Sequence, residues 1–401
     1  MSGIVIIGAG QAGSSLAIKL RALGYQGTVT LIGEEPYAPY QRPPLSKTYL
    51  LGEMALERLY LRPEEVYRDQ NIELRLGTQV TAIDPVAQVI SLGAETLSYD
   101  QLALTTGSTP RLLPEAIGGR LQNVFAVRGL ADVDAMRPAF EGGGHVLIIG
   151  GGYIGLEATA VAAKRGLKVT LVEMADRILQ RVACAETSDY FRALHQSHGV
   201  TLLEGVGLSS LTGTEHVTGA ILSNGATLDI DFALVGVGIQ PNTQLADAAG
   251  LTLNNGIETN ALGQTSQSKI WAAGDCASFP YQGERIRLES VPNAIDQAEV
   301  VAANMLGAQK AYHATPWFWS DQYDVKLQIS GLNQGFENVV TRIGEAGRSH
   351  WYYKAGQVLA VDAMNDPRAY MVAKRLIEAG KTADSALVAD PGSNLKALLL
   401  G

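Results

Sequence analysis

Three glycines stand at fixed offsets near the start of the chain, in Gly8-Ala9-Gly10-Gln11-Ala12-Gly13, and an acid, Glu34, follows twenty-one residues after the last of them. Glycine at the first position permits a tight turn, at the second it lets the backbone approach a pyrophosphate, and at the third it lets a helix pack closely on a strand. The free N–H groups and partial positive charge of a helix N-terminus complete an anion cradle, and the spaced acid can accept hydrogen bonds from an adenosine ribose. The same set recurs as Gly150-Gly151-Gly152-Tyr153-Ile154-Gly155, with Glu173 eighteen residues on. Two such sets imply two dinucleotides; the competing reading is one working cradle and one vestigial copy.

These residues need strands and helices to hold them. Ile4-Val5-Ile6-Ile7 reads as a buried parallel strand running into the first cradle, and Leu16, Ala17, Leu20 and Leu23 recur at helical spacing over 14–23. Gly24 stands where that helix ends, and 28–32 makes the next strand. The second set repeats this order with a strand over 145–149, a helix over 156–166 and a strand over 168–172. A βαβ unit repeated after about 140 residues is too long a period for a solenoid and suits two domains.

The remaining segments read as follows. Strands over 101–105 and 232–238 each close on a turn. An apolar strand over 270–274 ends in Asp275, which is either an acceptor for a ribityl or ribose hydroxyl or an ordinary turn residue. Pro292 opens a helix over 293–306 whose N-terminus either faces a flavin's carbonyl edge or ends in the core. Pro36, Pro39, Pro43 and Pro44 predict an extended loop. Beyond Tyr312, alternation over 324–330, a helix over 368–379 and the residues Trp317, Trp319 and Trp351 indicate an antiparallel α+β domain, with these aromatics either in the core or lying over a planar cofactor.

The chain's 401 residues suffice for two or three domains and exclude a disulfide-stapled miniprotein. A net charge of −9, with 46% hydrophobic and 18% charged residues, points away from nucleic-acid binding and from disorder. Cys184 and Cys276 are too far apart for a metal cluster or a close redox pair, and no cysteine precedes Cys184. No metal site is therefore expected, and without a thiol relay a flavin that receives electrons must pass them on itself. No uncharged apolar run reaches the ~18 residues of a membrane span, and the first basic residue is Lys19, so the start lacks a charged leader and a cytoplasmic home is expected. A carboxylate at Glu173 repels a 2′-phosphate, which favours NADH over NADPH, with Arg177 the nearby cation that weighs against this preference.

The order of both cradles with Pro43-Pro44-Leu45-Ser46-Lys47, Leu156-Glu157, Ala273-Gly274-Asp275-Cys276, Glu289-Ser290-Val291-Pro292-Asn293 and Pro316-Trp317-Phe318-Trp319-Ser320-Asp321-Gln322 resembles the NADH-dependent ferredoxin reductases of bacterial oxygenase systems, over nearly the whole chain. The resemblance implies an α/β fold with two Rossmann-like dinucleotide-binding domains, glutathione-reductase-like, plus a C-terminal α+β interface domain. Residues 1–113 and 241–315 would form the FAD-binding domain, 114–240 the NAD-binding domain and 316–401 the interface domain.

By the same resemblance FAD would contact Gly8, Gly10, Ala12, Gly13, Glu34, Arg42, Lys47, Val80, Arg128, Asp275 and Val291, with Pro44 and Lys47 beside the isoalloxazine and Trp319 on the nicotinamide side. NADH would use Gly150, Gly152, Ile154, Gly155, Glu157, Glu173, Gly238 and Glu289. Lys47 paired with Glu157 near the hydride-accepting nitrogen would favour the negative charge of a reduced flavin while the carboxylate limits the cost of burying the cation. The implied activity passes electrons from NADH through FAD to a [2Fe–2S] ferredoxin that serves a haem or Rieske oxygenase. An NADH oxidase, a rubredoxin or nitrite reductase component and a redox-sensing scaffold are the other readings. No nucleic-acid or membrane partner is implied, and the chain would be a monomer or weak dimer. Two departures stand out: Thr105 replaces the family's usual alanine, a change expected to be silent, and the helix after Pro292 carries Asp296 and Glu299, so steering of an acidic ferredoxin cannot be assigned to it.

Overall fold

Residues of the strand Ile4–Ile7 are all buried and alternate between two cores. Ile4 and Ile6 join Leu16, Leu20, Ala298 and Val301 on one side, and Val5 and Ile7 join Ile83, Ile90, Leu102 and Leu251 on the other, as expected of a strand with helices or hairpins on both faces. The structure is a computed structural model and describes residues 3–345 and 347–399. Chain packing divides it into two compact units, Met1–Arg42 with Ala55–Thr109 and Ile239–Pro316, and Pro43–Met54 with Pro110–Gly238 and Trp317–Gly401.

In the first unit a five-stranded parallel sheet runs in the order Ile270–Ala272, Gln101–Leu104, Ile4–Ile7, Val29–Ile32, Ile72–Arg75. The helices Gln11–Ala22 and Val291–Met305 pack on one face and share its core. Leu16 and Leu20 are completely buried, a contribution of about 1.5–3 kcal/mol each. The first helix starts three residues before the expected position because the extended Gly10 backbone caps it and Ser14 N donates to the Gly10 carbonyl at 3.0 Å. The helix expected from Asn293 starts at Val291, where the Ser290 side chain accepts from Asn293 N.

The second unit carries a parallel sheet in the order Thr201–Glu204, Lys168–Glu173, His145–Ile149, Phe232–Val235, Val124–Phe125, with the helix Tyr153–Lys164 following the second cradle. It also holds an antiparallel sheet in the order Trp317–Gln322, Val325–Gly331, Gln357–Met364, Arg348–Lys354, Asn338–Ile343. The helix Pro367–Glu378 covers that sheet, setting Ala369, Val372, Ala373 and Leu376 against Trp351 and Val361. Trp351 is thus a core residue, while Trp317 and Trp319 are half-buried.

The helix Ala185–Ser197 ties the two sheets of this unit together. Its Thr187 hydroxyl lies 2.8 Å from His350 Nδ1 and donates to Asp362 Oδ2 at 2.7 Å, and Cys184 N donates to the Tyr352 hydroxyl at 2.9 Å. The proline-rich stretch is not wholly extended: Pro43–Ser46 forms a short 3-10 turn, and Lys47 N and Tyr49 N both donate to the Pro44 carbonyl. Proline's fixed φ suits the first turn of a helix as well as an extended chain. Among the described residues no helix is long and apolar enough to cross a membrane.

Candidate functional site

The two glycine sets have the same steric logic. Gly8 has φ +113° and Gly150 φ +107°, and a Cβ on either would strike a carbonyl oxygen, of Thr105 or Gly236. A Cβ on Gly13 would strike the Gly8 carbonyl, and one on Gly155 the Gly150 carbonyl. The middle glycines differ: a Cβ on Gly10 or Gly152 would meet nothing of the protein within 4 Å. The fold itself requires the first and third glycine of each set. The middle one borders open space at a helix N-terminus, as a pyrophosphate cradle demands. On this test both sites fit a dinucleotide.

Around the first cradle, Glu34 is exposed at the end of the strand Val29–Ile32 and accepts from Gln79 Nε2 at 3.3 Å. The neighbouring acid does the holding: Glu35 binds both the Arg42 guanidinium and the Tyr40 hydroxyl. Burial works against the Arg42 charge, but Tyr40, Glu35 and Asp275 outweigh it and raise its proton affinity. Asp275, at the end of the strand Ile270–Ala272, accepts from Ser108 Oγ at 2.9 Å. Ala12 is buried beside Gly274, Val80 lies in the core, and Val291 begins its helix. Glu289 pairs with Arg287 at 2.6 Å. Thr105 is not a silent replacement for alanine, because its hydroxyl donates to the Gly8 carbonyl at 2.8 Å and fastens the glycine turn. Glu299 is engaged by Lys19 at 2.8 Å.

In the second unit, Glu173 is a pinned carboxylate: Oε2 accepts from Gly151 N at 2.7 Å and Oε1 from Ala175 N at 2.8 Å. Arg177 is committed elsewhere, donating to the carbonyls of Ala183 and Cys184 and to Ser188 Oγ. Arg128 N donates to Asp132 at the start of the helix Leu130–Gly142, and Gly238 has φ +101°. Ile154 is exposed at the mouth of the second cradle, while Tyr153 beside it packs on Phe318 with ring centroids 4.8 Å apart. Trp319 leans on Trp317 at 5.7 Å.

Lys47 and Glu157, more than a hundred residues apart, form an ion pair at 3.0 Å, with side chains only 13% and 6% exposed. Ser320 Oγ donates to Glu157 Oε1 at 2.7 Å and Ser46 Oγ to Oε2 at 3.0 Å, while Asp321 stands 3.6 Å from Lys47. Burial pushes the Glu157 carboxyl above its ordinary range, and Lys47, Ser320 and Ser46 draw it back without cancelling the effect. Ser46, Ser320 and Asp321 lie within the 43–47 and 316–322 motifs, but no spacing joins them to Glu157. The usable signal was Ser320 and Gln322 at alternate positions of a strand otherwise rich in aromatics, which is polar patterning on a core-facing side.

Both cysteines are buried free thiols whose proton affinity burial raises, so neither offers a reactive thiolate. Among the described residues no group of three or more His, Cys, Asp or Glu could hold a metal ion.

The model of pyridine nucleotide-disulphide oxidoreductases matches residues 2–298, and the reductase C-terminal model matches residues 317–399. The chain is 40% identical to putidaredoxin reductase of Pseudomonas putida, over 99% of this chain and 96% of that protein. It is 38% identical to the ferredoxin–NAD(+) reductase component of the anthranilate 1,2-dioxygenase system of Burkholderia cepacia, over 98% of both chains. Its fold superimposes with a TM-score of 0.95 on the reductase in the crystal structure of the covalent putidaredoxin reductase–putidaredoxin complex, at 38% identity and over 100% of this chain and 98% of that one.

Proposed function

Because this chain belongs to the pyridine nucleotide-disulphide oxidoreductase family, among its ferredoxin reductases, we propose that it is an FAD-dependent NADH:ferredoxin oxidoreductase of an oxygenase system. The observation that carries this reading is the pair of glycine cradles, each with an open middle glycine, in a chain with no cysteine pair to act as a relay. When bound, FAD supplies the conversion of a two-electron donor into one-electron deliveries.

The chain's own residues bind, orient and tune. Gly8, Gly10 and Gly13 take the FAD pyrophosphate, with Glu34 at the adenosine ribose and Asp275 at the ribityl chain. Gly150, Gly152 and Gly155 take the NADH pyrophosphate, and Glu173 accepts from the adenosine ribose hydroxyls. Glu173 is held by two backbone amides, which supports its role at the ribose, where a 2′-phosphate would meet like charge. Arg177, the cation that could have offset it, is occupied by loop carbonyls. Both facts support NADH over NADPH. Lys47 offers a positive charge to the reacting ring and Glu157 keeps that charge in place. Arg42, Val80, Ala12, Arg128 and Val291 complete the FAD site, and Ile154, Trp319, Gly238 and Glu289 the nicotinamide side. In this reading 1–113 and 241–315 are the FAD domain, 114–240 the NAD domain and 316–401 the interface domain of a cytoplasmic monomer or weak dimer, whose acceptor is a [2Fe–2S] ferredoxin.

The test is to purify the full chain, record its visible spectrum, titrate it anaerobically with NADH and NADPH, and add an oxidised [2Fe–2S] ferredoxin. A yellow protein bleached preferentially by NADH and reoxidised by the ferredoxin is expected. Protein that stays colourless when FAD is supplied, or that is reoxidised by air faster than by ferredoxin, refutes the reading.

A further inference from the structure

The polar contacts of Glu157 do not end at its first neighbours. Ser320 Oγ, which donates to Glu157 Oε1, itself accepts from Gln322 Nε2 at 3.3 Å. Gln322 Oε1 lies 2.8 Å from His195 Nε2, and His195 Nδ1 lies 3.0 Å from the Tyr323 hydroxyl. Ser320, Gln322 and His195 are completely buried, and the string reaches the half-buried Tyr323, whose ring stacks at 3.6 Å on that of the exposed His198.

Elementary donor and acceptor rules fix every proton along it. A carboxylate only accepts, so the single Ser320 proton is committed to Glu157 and Ser320 Oγ must accept from the next group. Only the amide nitrogen of Gln322 can donate there, which turns its oxygen to His195. Nε2 of His195 must then carry the ring proton, Nδ1 is a bare acceptor, and the Tyr323 hydroxyl donates to it. All four bonds run one way, toward the carboxylate. Burial lowers the His195 proton affinity to about 4, against the pull of Gln322, so the ring is neutral as this pattern requires. Aligned donors of this kind polarise one another in a low-dielectric interior.

We propose that Tyr323, His195, Gln322 and Ser320 form a one-way hydrogen-bond string that keeps the Glu157 carboxylate ionised and aligned for Lys47. They are positioning residues: they act on the reacting centre through Glu157, and the inference rests on the reading above that the Lys47–Glu157 pair stands at the FAD ring. The strand Trp317–Gln322 sets Ser320 and Gln322 two residues apart on one side, and Tyr323, at φ +58°, turns the hairpin tip back to the helix that carries His195. The titratable groups facing Glu157 are Lys47, just past the Pro43–Ser46 turn, Asp321 beside Lys47, and Tyr153 one turn earlier on its own helix; those facing His195 are Tyr323 and His198.

The test compares S320A, S320T, H195L and H195Q in the full chain as purified, with E157Q to assign the Glu157 carboxyl band in the infrared. Removing the last donor in S320A should raise the Glu157 proton affinity about tenfold, or about 1.4 kcal/mol, and H195L should raise it less. S320T restores the hydroxyl and H195Q restores a donor to Gln322, so both should return the titration toward wild type. In the same proteins the acid limb of the rate of reduction by NADH should move to higher pH with the infrared titration. An unmoved Glu157 titration in S320A, or no restoration by S320T, overturns the string, and S320A carries the test if H195L does not fold. If the infrared shifts occur while NADH fails to reduce wild-type protein, the string stands and the reading of the pair as a flavin-side device falls.

Discussion

Replacing Asp362 with asparagine isolates what a buried carboxyl does to the second unit. Asp362 is wholly enclosed; one oxygen accepts from Thr187 and Tyr352, and the other has no hydrogen-bond partner. Burial pushes its carboxyl from the ordinary 3.8 up to about 6, and the two donors only partly pull it back. A carboxyl whose folded value exceeds its unfolded one favours the fold below the unfolded value, and that contribution is lost as pH rises through the folded value. The interval from 3.8 to about 6, at about 1.4 kcal/mol per pH unit, corresponds to about 3 kcal/mol in full, of which about 2.4 kcal/mol is lost between pH 4 and pH 8. Asparagine does not titrate. Whatever offset its amide introduces at the unpartnered oxygen is the same at every pH. His350, lowered to about 4 chiefly by burial, contributes in the opposite direction and is common to both proteins. The unfolding free energy of D362N minus that of wild type should therefore grow by about 2.4 kcal/mol from pH 4 to pH 8. Denaturant unfolding at several pH values, followed by the emission of the buried Trp351, measures it. A difference that stays level across that range refutes the reasoning.

Three further outcomes follow from the cradles and their surroundings. G152A should leave the melting temperature nearly unchanged and weaken NADH binding, whereas G155A should lower the melting temperature because its methyl meets the Gly150 carbonyl; calorimetry with a nucleotide titration separates the two. E173Q removes the charge that would accept from the ribose, and because such charge-assisted bonds contribute about 1.5–3 kcal/mol, the dissociation constant for NADH should rise about tenfold or more, measured by anaerobic titration. R177M strips donors from the Ala183 and Cys184 carbonyls, so it should cost about 1–3 kcal/mol of stability in denaturant unfolding while the NADH-to-NADPH affinity ratio stays constant; a ratio that moves tenfold would show that Arg177 faces the nucleotide.

The cradles were legible because glycine's constraint is steric and local. Gly8 and Gly13 answer to atoms supplied within the same βαβ unit and the strand beside it. Periodicity places the starts of Gln11–Ala22 and Tyr153–Lys164 three residues late because it registers apolar residues, and the first turns include glycine, glutamine and tyrosine capped by backbone. The turn Pro43–Ser46 is not legible from its prolines because their φ serves both conformations.

The Lys47–Glu157 pair lay beyond spacing arguments for a different reason. Its members come from a short turn and a helix brought together only by the fold, and a lone lysine and a helix-face glutamate ordinarily read as solvated. Family likeness named them; nothing local did. Neither spacing nor family likeness named His195, Thr187, His350 and Asp362, which, like Ser320 and Gln322, are buried where a periodicity count expects apolar residues. A buried polar side chain is costly unless it is partnered. In this unit, three polar residues at core-facing positions of the C-terminal sheet meet residues of the helix Ala185–Ser197: Gln322 meets His195, and His350 and Asp362 both meet Thr187. That matching specifies which helix the sheet must meet and in what register, a task that apolar packing, being non-directional, performs poorly. The polar residues that sequence periodicity treats as noise are therefore the ones that hold Glu157, and through it Lys47, in position.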